Sequence, residues 1–556
     1  MKSKKWEDIL LFSAVLLGIL LVNINLKYLP IRVDLTEEKR FTISEATKGL
    51  LENLDDVVYI EVYLEGDLNA GFKRLRNSIA ETLEEFKVYG SSRIEYKFVN
   101  PDEAPNPTAR NRFYQQLAAK GLPATTLYDN IDGKRTQKVI FPGAIISYRN
   151  REEAVLLLKG NQTASAQERL NQSIEGIEYE LTRTIRKMGV GSKKNIAFVY
   201  GHDELYPNET QDITNALSEY FVIDRIQLSE SALDLYDALV IAQPRKAFSE
   251  SDKYLLDQYI MQGGNAMFMI DKIQMNLDSI ATGGTYAFAY DLNIEDLLFR
   301  YGVRINMNLL QDQRAGSIEV FTGNVGNQPN IDRLPWPYYI YLNTFSEHPI
   351  VRNMDVVYSR FISSIDTVKA TNVVKTPLMF TSKYTRVKNA PTMVDLNELK
   401  QDMDPALYTQ SNLPVAYLLE GKFRSLFATR FPPPGIDASN KLNESQAAKI
   451  LVVADGDIPA NDFEPQSGQM IPIDFDPIRR QVLSNKEFIV NALNYLTDEN
   501  GLIAARSKQI TMRPLDKFRI DEEKVFWQVF NIAIPIAIVI AFGVIRFYWR
   551  KKTYGS

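Results

Sequence analysis

From Val525 to Ile545 the chain runs for 21 residues without a charge, and Arg546-Phe-Tyr-Trp-Arg-Lys-Lys552 closes the run with an aromatic and basic edge. A bilayer core needs about 20 apolar residues of helix, and such edges belong at its interface. The run therefore predicts a transmembrane helix, the competing reading being a buried core helix. Pro535 suits a spanning helix, where neighbouring helices or local backbone adjustment satisfy the freed carbonyl. A second uncharged run, Ile9 to Leu26, has 18 residues behind Lys2, Lys4 and Lys5. Either a signal peptide or an anchor could look like this. Asn23-Ile24-Asn25-Leu26-Lys27 offers no small-x-small cleavage site, so an uncleaved anchor is expected.

Two spans place tails 1–8 and 546–556 on one side of the bilayer and the 498 residues from Lys27 to Lys524 on the other. Arg546, Arg550, Lys551 and Lys552 favour cytoplasmic termini, whereas Lys27, Arg32, Lys39 and Arg40 reduce the asymmetry. The segment between the spans holds 57 basic and 67 acidic residues, a charge of −10, so no nucleic-acid partner is expected. With no cysteine and only His202 and His348, the chain lacks disulfides, thiol nucleophiles, Cys-ligated zinc, iron–sulfur clusters and any His-rich metal site. No cofactor is expected. At 556 residues, 45% hydrophobic and 24% charged, most of the chain should form two or three packed soluble domains.

The fold class read from the pattern is α/β. Val57 to Leu64, a helix with Phe72, Leu75, Ile79, Leu83 and Phe86 on one stripe, and Ile94 to Val99 predict a βαβ unit. Helical material around Thr108 to Lys120 and strands at Gln137–Phe141 and Ala144–Tyr148 complete what would suit a thioredoxin-like layer over 27–164, without its cysteines. Leu170, Ile174, Ile177, Leu181 and Ile185 predict a connecting amphipathic helix over 165–190, stopped by Gly189 and Gly191. Short apolar strands at Asn195–Tyr200, Phe221–Ile226, Ala238–Ile241 and Ala266–Ile270 alternate with helices. They predict a mainly parallel sheet in a flavodoxin- or amidotransferase-like domain over 191–500. Ser249 with Asp252 reads as a helix cap, and Gly263-Gly264 as its stop. Strands are expected near Gly302–Ile305, Phe361–Ile365, Val415–Leu419 and Ile450–Ala454, and a helix over Phe488–Leu496. The polar stretches Thr385–Gln410 and Phe431–Ser445 read as mobile loops, and 501–524 as the linker back to the membrane.

Ligands of open α/β sheets sit beyond the carboxyl ends of strands. That rule selects His202, Asp203 and Glu204 after one strand, Asp271 after another, and Asp455 and Asp457 after a third, as a candidate ligand or partner rim. A histidine beside two carboxylates could be a general base, and paired carboxylates could do acid–base or metal work. The same residues read equally as capping acids and an Asp-Gly-Asp turn. No Gly-x-x-x-x-Gly-Lys-Ser/Thr loop occurs, so the chain is not read as an ATPase. It also lacks a Gly-x-Ser-x-Gly elbow, and His348 before Pro349 reads as a structural turn.

Val33-Asp34-Leu35-Thr36, Phe41-Thr-Ile-Ser44, Val199-Tyr200-Gly201-His202 and Asn485 to Leu496, in that order between two anchors, resemble the GldG-type gliding-motility ABC-transporter auxiliary proteins of Bacteroidetes. The resemblance implies a periplasmic domain on the bacterial inner membrane, associated with a polytopic permease and a cytoplasmic ATP-binding-cassette subunit. It also implies a middle domain similar to one in an intraflagellar-transport subunit, and a link to gliding. Binding and assembly, rather than catalysis, would be the output, with a periplasmic envelope protein as a further partner. The alternative is a solute-binding protein or enzyme working at the rim near His202 and Asp271.

Overall fold

Alternating burial along Val58–Val62 (β1) makes it an inner strand: Val58, Ile60 and Val62 point into a core while Tyr59 and Glu61 are half-exposed. The helix Ala70–Gly90 (α1), capped by the Asn69 side chain on the Phe72 N–H, lays Phe72, Leu75, Ile79, Leu83 and Phe86 on that core. Ile94–Phe98 (β2) then returns parallel to β1. After a helix at Pro107–Ala119, Gly143–Tyr148 (β3) pairs antiparallel to the other edge of β1, and Arg151–Leu156 (β4) pairs with β3. The resulting sheet has the order β2-β1-β3-β4. The amphipathic helix Ala166–Lys187 (α2) buries Leu170, Ile177, Leu181 and Ile185 in the same core, so its apolar stripe belongs to this first layer. Its other face bridges onward, with Tyr179 Oη donating to Asn491 Oδ1 at 3.2 Å and Arg183 Nη2 donating to the Tyr220 hydroxyl at 2.8 Å.

The computed structural model describes residues 6, 10, 12–18, 20–21, 42–131, 134–158, 164–189, 193–228, 233–276, 279–280, 283–325, 328–400, 404–498, 501, 503, 506 and 517–554. The opening motif up to Phe41, Gly191 and most of the expected linker lie outside them. Of the first apolar run, Leu10, residues 12–18, Leu20 and Leu21 are described, all helical.

A second, larger core forms around an eight-stranded sheet. Lys194–Val199 (β5), the helix Gln211–Ser218 (α3), Phe221–Ile226 (β6), Ala238–Ala242 (β7), Glu250–Met261 (α4) and Asn265–Met269 (β8) supply its regular half. Thr344–Phe345 (β9), Val373–Phe380 (β10), Pro414–Arg424 (β11) and Glu444–Val453 (β12) supply the rest, and Asn485–Leu496 (α5) packs against it. The order is β9-β10-β11-β12-β8-β7-β5-β6. Strands β6, β5, β7, β8 and β12 run parallel, whereas β9, β10 and β11 continue from β12 antiparallel. The sheet is thus mixed, a narrower outcome than the mainly parallel expectation. At α4 the capping box forms: Ser249 Oγ accepts from the Asp252 N–H, and Asp252 accepts from the Ser249 N–H.

Between β8 and β11 the chain builds a β-rich insertion. Its antiparallel pairs include Ile273–Gln274 with Thr285–Ala289, Asn308–Asp312 with Thr385–Asn389, and the long hairpin Ala315–Val325 with Gln328–Leu342. Two expectations are corrected here. Residues 385–394, taken for a loop, form the strands Thr385–Asn389 and Thr392–Val394, because Asp312 accepts from the Thr385 hydroxyl and the Ser382 N–H and pins the segment to its neighbour. The strand expected at Phe361–Ile365 divides into Val357–Arg360 and Ile365–Thr367, with Phe361 in a left-handed turn at φ +51°.

The terminal unit, Gln509–Ser556, is described by itself. Its helix Lys517–Tyr554 (α6) has 38 residues, longer than the uncharged run at both ends. Within it, Glu522–Lys552 has a mean hydropathy of 2.3 over its most apolar window and no side chain of that window buried, so it is long and apolar enough to cross a membrane.

Candidate functional site

Four of the five parallel strands deliver polar groups at their carboxyl ends. β5 leads to His202, β7 to Gln243, β8 to Asp271, and β12 to Asp455-Gly456-Asp457. Asp271, Asp455 and Asp457 converge, each offering a carboxylate oxygen within 4.8 Å of the others. Gln243, held at φ +55°, ties two of them together: its Nε2 donates to Asp271 Oδ2 at 2.6 Å and to Asp457 Oδ1 at 2.8 Å. The Gly456 N–H donates to Asp271 Oδ1 at 2.6 Å, and the Asp457 N–H to Asp455 Oδ1 at 2.7 Å. The other Asp455 oxygen accepts from the Arg360 N–H at 3.0 Å, and the Arg360 guanidinium pairs with Asp462. Position 456 has to be glycine for this packing: a Cβ there would meet Gln243 Cγ at 2.6 Å.

Burial raises the pKa of all three carboxyls. For Asp271 repulsion from Asp457 adds to it and brings the group to about 7; for Asp455 repulsion from Asp457 and Asp271 adds to it; for Asp457 the Arg360 charge partly opposes it. Such a cluster can share protons among its members, and its all-oxygen donor set is of the kind that holds a hard divalent cation. It also has a plain architectural job, because both oxygens of Asp271 and of Asp455 already accept bonds that fasten the loops together.

His202 occupies a separate pocket. Its ring stacks on Phe248 with centroids 3.7 Å apart, Nδ1 faces Glu204 Oε1 at 3.0 Å, and Nε2 faces Asp252 Oδ2 at 3.2 Å. Two carboxylate acceptors can both be served only by the imidazolium. Burial opposes that charge, but the hydrogen bonds to Glu204 and Asp252 outweigh it and raise the pKa above 6.5. Asp203 stands apart at φ +61°, accepting from the Tyr206 hydroxyl at 3.1 Å with Lys246 Nζ at 4.0 Å. The six rim residues therefore fall into an aspartate triad, a histidine sandwich and one half-exposed carboxylate. Among the described residues no ligand set joins His202 to the triad.

Sequence reasoning missed Gln243, Asp252 in its second role, Arg245, whose guanidinium donates to Gln243 Oε1, and Arg360. Gln243 stands directly after a parallel strand, where the carboxyl-end rule applies to it as well as to Asp271. Arg360 carries no such signal, since it arrives from the insertion, 95 residues from Asp455.

Residues 193–492 match the model of a family described as an ABC-type uncharacterized transport system, an auxiliary domain of such transporters, and the chain belongs to that family. The family supports a non-catalytic accessory role in an ABC transport system, and with helix α6 it marks the chain as membrane-associated. Residues 37–147 match a domain of unknown function, DUF7088. An uncharacterized protein of Borreliella burgdorferi is 22% identical over 99% of this chain and 100% of its own length. The solved mmIFT52 N-terminal domain is 13% identical and covers 55% of this chain and 98% of its own, with a TM-score of 0.31, a likeness too slight to bear on fold or function.

Proposed function

We propose that the chain is a membrane-anchored subunit of an ABC transporter that works by binding and assembly with a polytopic permease and a separate cytoplasmic ATPase. The family match over 193–492 carries this reading. Helix α6 supports the anchoring: Phe526, Trp527 and Phe530 cluster at the start of its uncharged run, and Phe547, Tyr548 and Trp549 lie just past the end of that run. From Trp527 to Phe547 is about 30 Å at 1.5 Å per residue, the thickness of a hydrocarbon core between two aromatic belts. With an N-terminal anchor as well, the α/β body is held in the periplasm at the inner membrane with both termini cytoplasmic. The opening motif and the closing helix support placement in the gliding-motility branch. The strand order β2-β1-β3-β4, with β3 antiparallel, supports a thioredoxin-like first layer that has no redox chemistry.

The test is purification of the full-length protein from its own membrane in mild detergent, against a control in which both apolar runs are replaced by unrelated spans. Co-purification of a permease and an ABC ATPase with the native runs alone supports the reading. Their absence from both preparations sinks it. A second reading, a solute-binding or catalytic rim, is favoured by one observation, the convergence of the three carboxylates Asp271, Asp455 and Asp457. It requires Asp271→Asn with His202→Ala to abolish function without unfolding.

A further inference from the structure

We propose that Arg546 to Lys552, in the last turns of α6, bind the headgroups of anionic phospholipids and gather those lipids around the helix. The inference rests on the reading of α6 as a membrane span. Its starting point is a difference between the two ends of the uncharged run. Before the run, Lys524 follows Glu522 and Glu523, and Trp527 Nε1 donates to Glu523 Oε2 at 2.8 Å, so the chain's own acids serve that end. From Val525 to Ser556 the chain holds four basic residues and no Asp or Glu, although it has 69 acidic residues in all. The end beyond Ile545 is therefore uniformly cationic.

Helix geometry sets where those cations stand. At about 100° per residue, Arg546, Arg550, Lys551 and Lys552 lie at about 0°, 40°, 140° and 240° around the axis. Phe547, Tyr548 and Trp549 fall at about 100°, 200° and 300°, between them. All seven side chains are exposed, the rings at 64%, 66% and 77%. Cations thus point to every side, and whichever side meets a neighbouring protein, others still face lipid. The seven residues rise by about 9 Å, against about 5–8 Å for the headgroup layer of one leaflet.

This distribution selects the ligand. An acidic protein surface engages one side of a helix, whereas lipid headgroups form a plane that encircles it and can meet all four cations. The guanidinium forks of Arg546 and Arg550 match phosphate oxygens in pairs, and the interleaved rings place apolar bodies at the hydrocarbon edge with polar tips outward. A zwitterionic lipid also carries a phosphate, but its own ammonium group cancels the attraction. For an anionic lipid beside one cation, the preference amounts to about fivefold.

The experiment is electron paramagnetic resonance of the full-length protein in phosphatidylcholine vesicles, with spin-labelled phosphatidylglycerol in one sample and spin-labelled phosphatidylcholine in the other. The ratio of the two immobilised fractions should be about three, the average of about fivefold around the cationic end and none at the other. Arg546→Gln with Arg550→Gln, Lys551→Gln and Lys552→Gln should lower it by about twofold or more, and so should about 1 M salt with the native chain. Arg546→Lys with Arg550→Lys, which keeps the charge, and Lys524→Gln, at the opposite end, should leave it unchanged. Glutamine is about as good a helix former as lysine and arginine, so the quadruple variant keeps its span. Carbonate washing of the same vesicles reads insertion separately. Protein that washes off refutes the span and the inference with it. Protein that stays but shows a ratio near one, or a ratio indifferent to the quadruple substitution, overturns the inference alone. So does loss of a co-purifying ABC ATPase in that variant with the lipid ratio unchanged, which reassigns the cations to an acidic protein surface.

Discussion

Asp257 ties the two halves of the large sheet together, and its removal gives a quantitative test. It projects from α4, is fully buried, and accepts four bonds: from Ser425 Oγ at 2.6 Å, Tyr301 Oη at 2.8 Å, the Leu426 N–H at 2.9 Å and Gln258 Nε2 at 3.1 Å. Ser425 and Leu426 follow the antiparallel strand β11, so the carboxylate joins a helix of the parallel half to the other half. Asp257→Ala strands the donors of Ser425, Tyr301 and Leu426, each at roughly 1–3 kcal/mol if left unpaired. Relief from burying a carboxylate, whose pKa burial raises above 3.8, offsets part of that. The expected net loss is about 3–5 kcal/mol, read from urea midpoints of the full-length protein in detergent by circular dichroism. Tyr301→Phe separates this account from simple loss of packing. Alone it removes a charge-assisted bond and should cost roughly 1.5–3 kcal/mol; in the Asp257→Ala background it removes an orphaned hydroxyl and should cost nothing or stabilise. An equal cost of Tyr301→Phe in both backgrounds would refute the reasoning.

The chain's two histidines should pull stability in opposite directions with pH. Burial, aided by the Lys449 charge, lowers His348 to about 4, so its contribution is present above pH 6.5 and is lost as pH falls from 6.5 towards 4. His348→Gln should therefore raise stability at pH 5 by about 1 kcal/mol after discounting for the ring's partial solvent contact, and leave it unchanged at pH 8. His202, with its raised pKa, stabilises fully below pH 6.5 and less as pH rises through its folded value, so His202→Gln should cost most at pH 5; urea midpoints at both pH values check the pair. In a chain starting at Thr42, Ile536→Arg with Ile538→Arg places two charges mid-helix at about 2.5–3.5 kcal/mol each, and carbonate extraction should shift the protein from pellet to supernatant. Gly456→Ala should displace Gln243 and release both of its carboxylate bonds, seen as an altered pH dependence of the melting temperature between pH 6 and 8; an unchanged profile would argue that Gln243 does not hold the triad.

The parallel half of the large domain was legible because most of its strands are short apolar runs between turn and capping residues. Phe221–Ile226 was read to the residue, and Ser249, Asp252 and Gly263 mark the two ends of α4 by chemistry that local sequence contains. The insertion was not legible, for a physical reason. Its strands are narrow ladders exposed on one face, so Tyr286, Phe288, Phe321 and Ile331 sit outside and the apolar alternation is reversed or blurred. Thr385–Asn389 holds one arginine and one lysine in five residues and is a strand because it pairs with Asn308–Asp312, far away in sequence, where Asp312 also accepts from the Thr385 hydroxyl and from the N–H of Ser382 just before it. At the rim, the carboxyl-end rule found the three aspartates that converge. It could not separate them from His202, because which loops meet depends on how far each travels after its strand.

That travel also decides what the rim can do. The His202 carbonyl accepts from the N–H groups of Arg245 and Lys246, both at 2.9 Å, and Arg245 donates to the Gln243 side chain that spans Asp271 and Asp457. Asp455 takes the Arg360 N–H, Arg360 pairs with Asp462, and the preceding residue, Asn461, donates its N–H to the Glu209 carbonyl at 2.7 Å and accepts from the Asp212 N–H at 3.3 Å. The loops after β5, β7, β8 and β12 and the insertion strand at Arg360 thus form one hydrogen-bonded chain. Most of these bonds are buried or half-buried, so breaking one strands a desolvated partner and weakens the neighbouring bonds that it polarised. Drawing the Asp455–Asp457 turn outward means breaking the Gln243–Asp457, Gly456–Asp271 and Arg360–Asp455 bonds together. Displacement at any one of these loops therefore carries across the whole carboxyl end of the sheet, and this follows from the bonding whether the rim meets a ligand, a cation or a protein surface.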